Sequence, residues 1–437
     1  MFVGTSIESH ERSSRQSFHW AWVVLAICFI DLFVNYSIRN GFGVILPEMI
    51  RSLGLNRTQG GTIFNFYFAA YICLTPLTGT LTDRLGARRV ITLFSVLLGT
   101  GPLLMGTVER VWTACIFFAI AGAGSSAMWT PVVTVVQKWF APRKRGMALG
   151  LISIGPGLGY AIIGYSFPLL VNASSWRLCW YVVGTCALIM GLLNGLFLRS
   201  EPEDLGITPW GERSTVPIVH SQENWFRKTR YREVFRSSRF WIVGASYFFM
   251  SCAVYTMMTF MVDYANMELG FAYKNASFLA TIHGLSQLIG VLTIPILSDR
   301  IGRRITLMGT NMLIALSILG IIASGKSLWG LYASIGILGI AYGAIWPLYG
   351  ACGGDYFKKE VIGTVTGAWT PLYGLGAVLA HFIGGRIRDM TGSYQVAFYL
   401  AMVFAAVAAF LMLKVRTPHT LSAQCVYRPG TDLHGRD

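Results

Sequence analysis

Asp83-Arg84-Leu85-Gly86-Ala87-Arg88-Arg89 and Asp299-Arg300-Ile301-Gly302-Arg303-Arg304 are two copies of one charged turn, 216 residues apart in a chain of 437. Each closes a hydrophobic run long enough to cross a hydrocarbon core roughly 30 Å thick as a helix. A fixed offset of half the chain marks a duplicated unit. The duplication extends past the turns: Trp129 falls opposite Trp346, and Phe140, Gly146, Gly150, Gly157 and Gly159 fall opposite Phe357, Gly363, Gly367, Gly374 and Gly376, all at offset 217.

Outward from these turns, apolar windows predict spans at 20–46, 58–80, 90–108, 111–137, 147–171 and 177–198, then at 239–264, 274–298, 305–324, 328–350, 361–385 and 393–414. The chain divides into a tail (1–19), a six-helix bundle (20–198), a central loop (199–238), a second bundle (239–414) and a tail (415–437). Charged residues make up only 13% of the chain, about half the share of a soluble domain. A soluble globular protein is excluded.

The net charge of +15 would suit a nucleic-acid partner, but its distribution argues otherwise. Segments on the side of the two termini hold 26 of the 35 Lys and Arg, the opposite loops hold 8, and Arg39 lies within a span. This positive-inside bias predicts cytoplasmic termini and a cytoplasmic central loop carrying Arg227, Lys228, Arg230, Arg232 and Arg236. It predicts no nucleic-acid binding. The eight cysteines are scattered without a CxxC, so neither a disulfide nor a metal site is expected, and no cofactor. The first eighteen residues lack an apolar signal core, so the first span is expected to direct insertion into the cell (inner) membrane, as a monomer. Both halves start on one side, which makes the repeat parallel, with a small-molecule site expected near the midplane between them.

Gly79-x-x-x-Asp83-Arg84-x-Gly86-x-Arg88-Arg89 resembles the loop motif of the major facilitator superfamily. The resemblance implies an all-α integral membrane protein with twelve transmembrane helices in two parallel six-helix repeats. It also implies a gating role for Gly79, Asp83, Arg84, Gly86, Arg88 and Arg89, and for Asp299, Arg300, Gly302, Arg303 and Arg304 in the second copy, where Pro295 replaces the leading Gly. Physically, an Asp beside helix ends and surrounded by Arg can latch one face shut and release it on opening.

Within that superfamily the chain resembles the monocarboxylate transporters and oxalate/formate antiporters at Trp20-Ala21-Trp22-Val23-Val24 and Trp139-Phe140-x-x-Arg143-Lys144-Arg145-x-x-Ala148-x-Gly150-Leu151. Around Arg39-Asn40-Gly41 it is similar to the anion:cation symporters. These resemblances imply secondary active transport of a small organic anion, a mono- or dicarboxylate, by alternating access, with protons as co-substrate or a counter-anion in exchange. The monocarboxylate family's Asp and Arg of the eighth span correspond here to Gln287 and Val291, and 361–385 contains no lysine to match that of the antiporters. Lactate or oxalate in particular is therefore not implied.

The residues themselves single out Arg39, since a buried guanidinium costs several kcal/mol unless paired or hydrated and offers a planar fork to a carboxylate. Snorkelling to the interface is the alternative. Asp31, Asn35 and Arg39 are spaced by four and are expected to form one polar stripe facing the cavity, Asp31 acting as a proton carrier or as a structural partner. His283 and Gln287 form a second stripe, the histidine a further candidate for proton coupling or a structural hydrogen bond. Tyr36, Trp129, Tyr255, Trp346, Tyr349 and Tyr373 are candidate walls of a substrate site, or packing residues. Trp129 and Trp346, each followed closely by proline, are expected at paired helix bends.

Gly155-Pro156-x-x-Gly159 partly resembles the fifth-span motif of drug:proton antiporters, which keeps a proton-coupled exporter of hydrophobic or cationic compounds as the alternative. A sensor would need a signalling domain that the short loop and tail leave no room for. No nucleophile, base and orienter converge, so no enzyme is expected.

Overall fold

The computed structural model describes residues 19–211, 234–357 and 361–415. Arg227, Lys228, Arg230, Arg232 and Cys425 lie outside the described residues, as do most of both tails. Helices coincide with each expected span: α1 (Ala21–Leu53), α2 (Arg57–Leu85), α3 (Ala87–Met105), α4 and α5 (Val111–Ser125, Thr130–Trp139), α6 (Pro142–Ala173) and α7 (Trp176–Phe197) in the first half. The second half has α8 (Ser238–Asp263), α9 (Tyr273–Ile301), α10 (Arg303–Ser324), α11 (Leu328–Tyr356), α12 (Ile362–Thr391) and α13 (Gln395–Leu413). Among the described residues ten segments are long and apolar enough to cross a membrane, α4 and α5 counting as one and α8 with its following π turn as another; α2 and α12 fall short. Those two pack against each other between the halves.

The duplication is visible in the backbone. Gly86 and Gly302 end α2 and α9 with φ of 83° and 89°, a positive-φ backbone that glycine adopts without steric cost. The next step is also repeated: Arg88 donates to the carbonyl of Gly195 near the end of α7, and Arg304 donates to those of Met412 and Leu413 at the end of α13. A guanidinium there meets carbonyls that have no partner within the helix and the negative end of its dipole.

The fourth span is not the continuous helix expected over 111–137. It breaks at 126–129 and restarts as α5, with Pro131 in its first turn, where the missing N–H costs nothing. Pro347 lies inside the uninterrupted α11, so the break has no counterpart in the second half. The two sequence stretches 20–24 and 139–151 meet at one corner: Trp22 stacks edge-on against Phe140 and Trp210, and Trp210 donates its N–H to the carbonyl of Trp139 at 2.9 Å. Their tryptophans close the base of the first bundle, away from the midplane.

Candidate functional site

The halves touch most closely on the face opposite the termini. There Arg57 pairs with buried Asp263 at 3.1 Å, and Tyr394 donates to the same carboxylate at 2.6 Å. Asp389 accepts the N–H groups of Arg57 and Thr58 at 2.9 and 2.7 Å, a carboxylate from α12 seated on the N-terminus of α2. A Cβ on Gly61 would lie 2.4 Å from the carbonyl oxygen of His381, and one on Gly385 would lie 2.5 Å from that of Arg57. At the other end of the same two helices, a Cβ on Gly79 or Gly367 would meet nothing within 4 Å. The seam is shut on the far face and parted on the terminal face.

Arg39 sits at the inner limit of the shut part and is 1% exposed. Its guanidinium lies 4.4 Å from the ring centre of Phe68, 5.3 Å from Tyr71, 5.4 Å from Tyr255 and 5.6 Å from Tyr36. It donates to the hydroxyl of Tyr255 in the other half, while its Nε has no hydrogen-bond partner. Tyr373 donates to that same hydroxyl at 3.3 Å. Among the described residues no carboxylate pairs with Arg39. Aromatic faces attract a cation by roughly 0.5 to 2 kcal/mol each, which offsets part of the cost of burial without neutralising the charge.

Towards the terminal face lies a cavity of about 100 Å³ walled by Tyr36, Asn40, Gln287, Tyr342, Trp129 and Trp346, among others. No charged side chain lines it. A water needs roughly 10–15 Å³ of such space, so the cavity has room for several. The two tryptophan rings meet at 5.9 Å across the halves and also border a second cavity of about 160 Å³ with Tyr247, Tyr349 and Trp369. Trp129 and Trp346 thus border both cavities as a pair and separate the two spaces.

Other expected residues are placed differently. Asp31 is fully buried and accepts from Asn194 at 2.7 Å, and Asn194 reaches Ser95 at 3.2 Å, so its carboxylate faces α3 and α7 inside the first half. The stripe of three does not face the cavity as one. Steps of four residues advance about 40° each on a helix, so Asp31 and Arg39 diverge by about 80°. Asn35 is buried with an unpartnered Oδ1, and Tyr36 and Asn40 form the cavity wall instead. His283 is held edge-on by Tyr160 and at a tilt by Tyr342, each at 5.3 Å, and neither of its ring nitrogens has a hydrogen-bond partner among the described residues. Tyr349 bonds Ser246 at 2.6 Å and Asn311 at 3.0 Å within its own half.

In the charged turns, Asp83, Arg84 and Arg89 are exposed and form no ion pair among the described residues. Asp299 pairs with Arg303, which also reaches Asp355 at 3.3 Å, all inside the second half, and Arg300 is exposed. Neither turn bridges the halves here.

Sequence reading missed Phe68 and Tyr71 as walls around Arg39, Asn40 as a cavity residue, and the acids Asp263 and Asp389. One signal was available. Arg39 and Tyr255 are 216 residues apart, the offset of the charged turns, so the residues that meet are repeat mates.

The chain matches the family model of the Major Facilitator Superfamily over residues 28–278 and 249–424. It is 23% identical to the probable sulfoacetate transporter SauU of Cupriavidus necator over 90% of this chain and 93% of that protein. It is 22% identical to monocarboxylate transporter 12 of Homo sapiens over 89% of this chain and 79% of that one. Among solved structures, a bacterial homologue of the human lysosomal transporter Spinster, inward-facing and unoccupied, superposes with a TM-score of 0.72 at 17% identity, covering 91% of this chain and 97% of the other.

Proposed function

Because the chain belongs to the Major Facilitator Superfamily, and is thus a membrane transporter rather than an enzyme, we propose that it carries a small organic anion, a mono- or dicarboxylate, by alternating access, with Arg39 as the anion anchor. The observation that carries this reading is a guanidinium 1% exposed, behind Tyr36 in the wall of the inter-half cavity, with no carboxylate partner among the described residues. A buried cation left without a counter-ion is a site for one supplied from outside. Relatives named for sulfoacetate and for monocarboxylates support the same class of cargo. A cavity of about 100 Å³ favours a small one.

The exporter alternative lacks support, because no acid lines the cavity to receive a cation. In the reading adopted here the terminal face is cytoplasmic, following the bias of basic residues, and the structure is the state open to that side. The turns after α2 and α9 then form the latch of the opposite state, which fits the unpaired Asp83 seen here. Proton coupling would run through Asp31 or His283.

Uptake of radiolabelled acetate, pyruvate and sulfoacetate into proteoliposomes, with and without a pH gradient, tests this. Arg39→Gln is expected to reduce uptake by at least about tenfold, the loss of a charge-assisted bond. Uptake surviving the substitution would remove Arg39 from the site, and failure of the parent protein to move any of the three would overturn the anion reading.

A further inference from the structure

Arg39 and Tyr255 occupy equivalent places in the two repeats and bond to each other across the seam. One repeat supplies a cation there and the other a neutral phenol. Tyr255 comes from α8, which is buried on every side from Met250 to its end at Asp263, as α1 is from Val34 to Pro47. The bond therefore joins the two helices that the shut part of the seam encloses most completely. A neutral phenol oxygen is a weaker acceptor for a guanidinium than a carboxylate, which displaces it because charge-assisted bonds are roughly twice as strong as neutral ones. The displaced hydroxyl keeps a partner in Tyr373 on its own half, at 3.3 Å. Exchange of the phenol for an anion thus leaves no polar group stranded.

Resting on the anion reading above, we infer that Tyr255 is a built-in stand-in for the substrate: it ties the empty protein shut on the far face, and the incoming anion releases the tie by taking Arg39. Opening the far face parts α1 from α8. In the empty protein that motion strips Arg39 of its one acceptor from the other half, whereas in the loaded protein the anion stays with it. The loaded carrier then reorients more readily than the empty one, and exchange of anions outruns net flux. Tyr255 is a positioning residue in this scheme, and its hydroxyl is the group that matters, since its ring still borders Arg39 when the oxygen is removed.

The experiment uses the full chain with Cys73, Cys186 and Cys425 replaced and spin labels at Thr107→Cys and Lys326→Cys, on far-face loops of opposite halves. In the ligand-free protein, Tyr255→Phe is expected to raise the far-face-open population by about tenfold, the worth of one hydrogen bond to a charged group. Tyr255→Gln, which restores an acceptor, is expected to recover the closed distance. In proteoliposomes, the ratio of net pyruvate or sulfoacetate uptake to exchange should rise about tenfold in Tyr255→Phe. Unchanged distances in Tyr255→Phe, or a Gln variant that behaves like Phe, would overturn the tie even if anion uptake is confirmed. Absence of any anion uptake by the parent would instead overturn the function, and the distances would still decide whether the tie exists.

Discussion

The two ends of the seam between the halves are built from the same helices and behave oppositely. On the far face, α2 and α12 approach until backbone touches backbone at Gly61 and Gly385, and an acid from the second half satisfies the first turn of α2. On the terminal face those helices part around Gly79 and Gly367, and Asp83 has no partner among the described residues. Glycine is present at both ends, but in this state only the far end uses it. Close approach at one end and idle glycine at the other is what a rocking pair of rigid bundles requires, since the idle end is the one that must close when the halves tilt the other way.

That contrast can be broken most forcefully at Asp263, among the described residues the one fully buried acid of the far seam whose partners come from both halves. Asp263→Ala leaves Arg57 and Tyr394 without their shared acceptor, and breaking one side of a buried pair costs about 3 kcal/mol. The cost falls on the far-face-closed state, so the spin-label distance described above should lengthen by a large population shift, while Asp83→Ala should leave it unchanged. Next in size is Gly61→Ala, whose new methyl cannot fit against the backbone oxygen of His381, with an expected cost of about 2 kcal/mol for forced overpacking. Gly79→Ala is the paired control, expected to be silent in this state and to act only when the terminal face shuts. Equal responses at Gly61 and Gly79 would show that the two ends are not in opposite states.

Much of this architecture was legible in the sequence, because a membrane segment must be long and apolar and because the repeat places its own copy on record. Arg39 stood out for the same reason, being the one Lys or Arg side chain deep inside a predicted span. Its setting was less legible. The aromatic walls at Phe68 and Tyr71 look like any other apolar residues of a span, and only the packing of α2 on α12 brings them to the seam. Asp31 misled because residues four apart share a helix face only over short distances. Asp263 and Asp389 were missed because each lies at the end of a span, where charges normally meet water. Only the approach of the other half converts them from boundary markers into a clasp. The fourth span breaks just before Pro131, two residues after Trp129, whereas Pro347, directly after Trp346, does not break α11, so a nearby proline did not decide it alone.

Two further changes grade the far seam from its centre to its rim. Asp389→Ala removes a carboxylate that caps α2 from the opposite half, a role usually filled by the residue before a helix. Asn56 already accepts the N–H of Gln59 there at 2.7 Å, so the helix retains one cap. The loss should be about 1 kcal/mol, felt only when the halves are together, and it should weaken the closed state without lowering thermal stability of the first half. Arg51 bonds Asn266 at 2.7 Å and pairs with Glu48, but its side chain is 46% exposed. Water and salt screen such a pair, and the bond competes with the entropy of a long side chain, so Arg51→Ala should shift the spin-label population by less than about 0.5 kcal/mol. If Arg51→Ala opened the far face as much as Asp263→Ala does, closure would depend on the rim, and the buried clasp at Asp263 would not be what distinguishes the two ends of the seam.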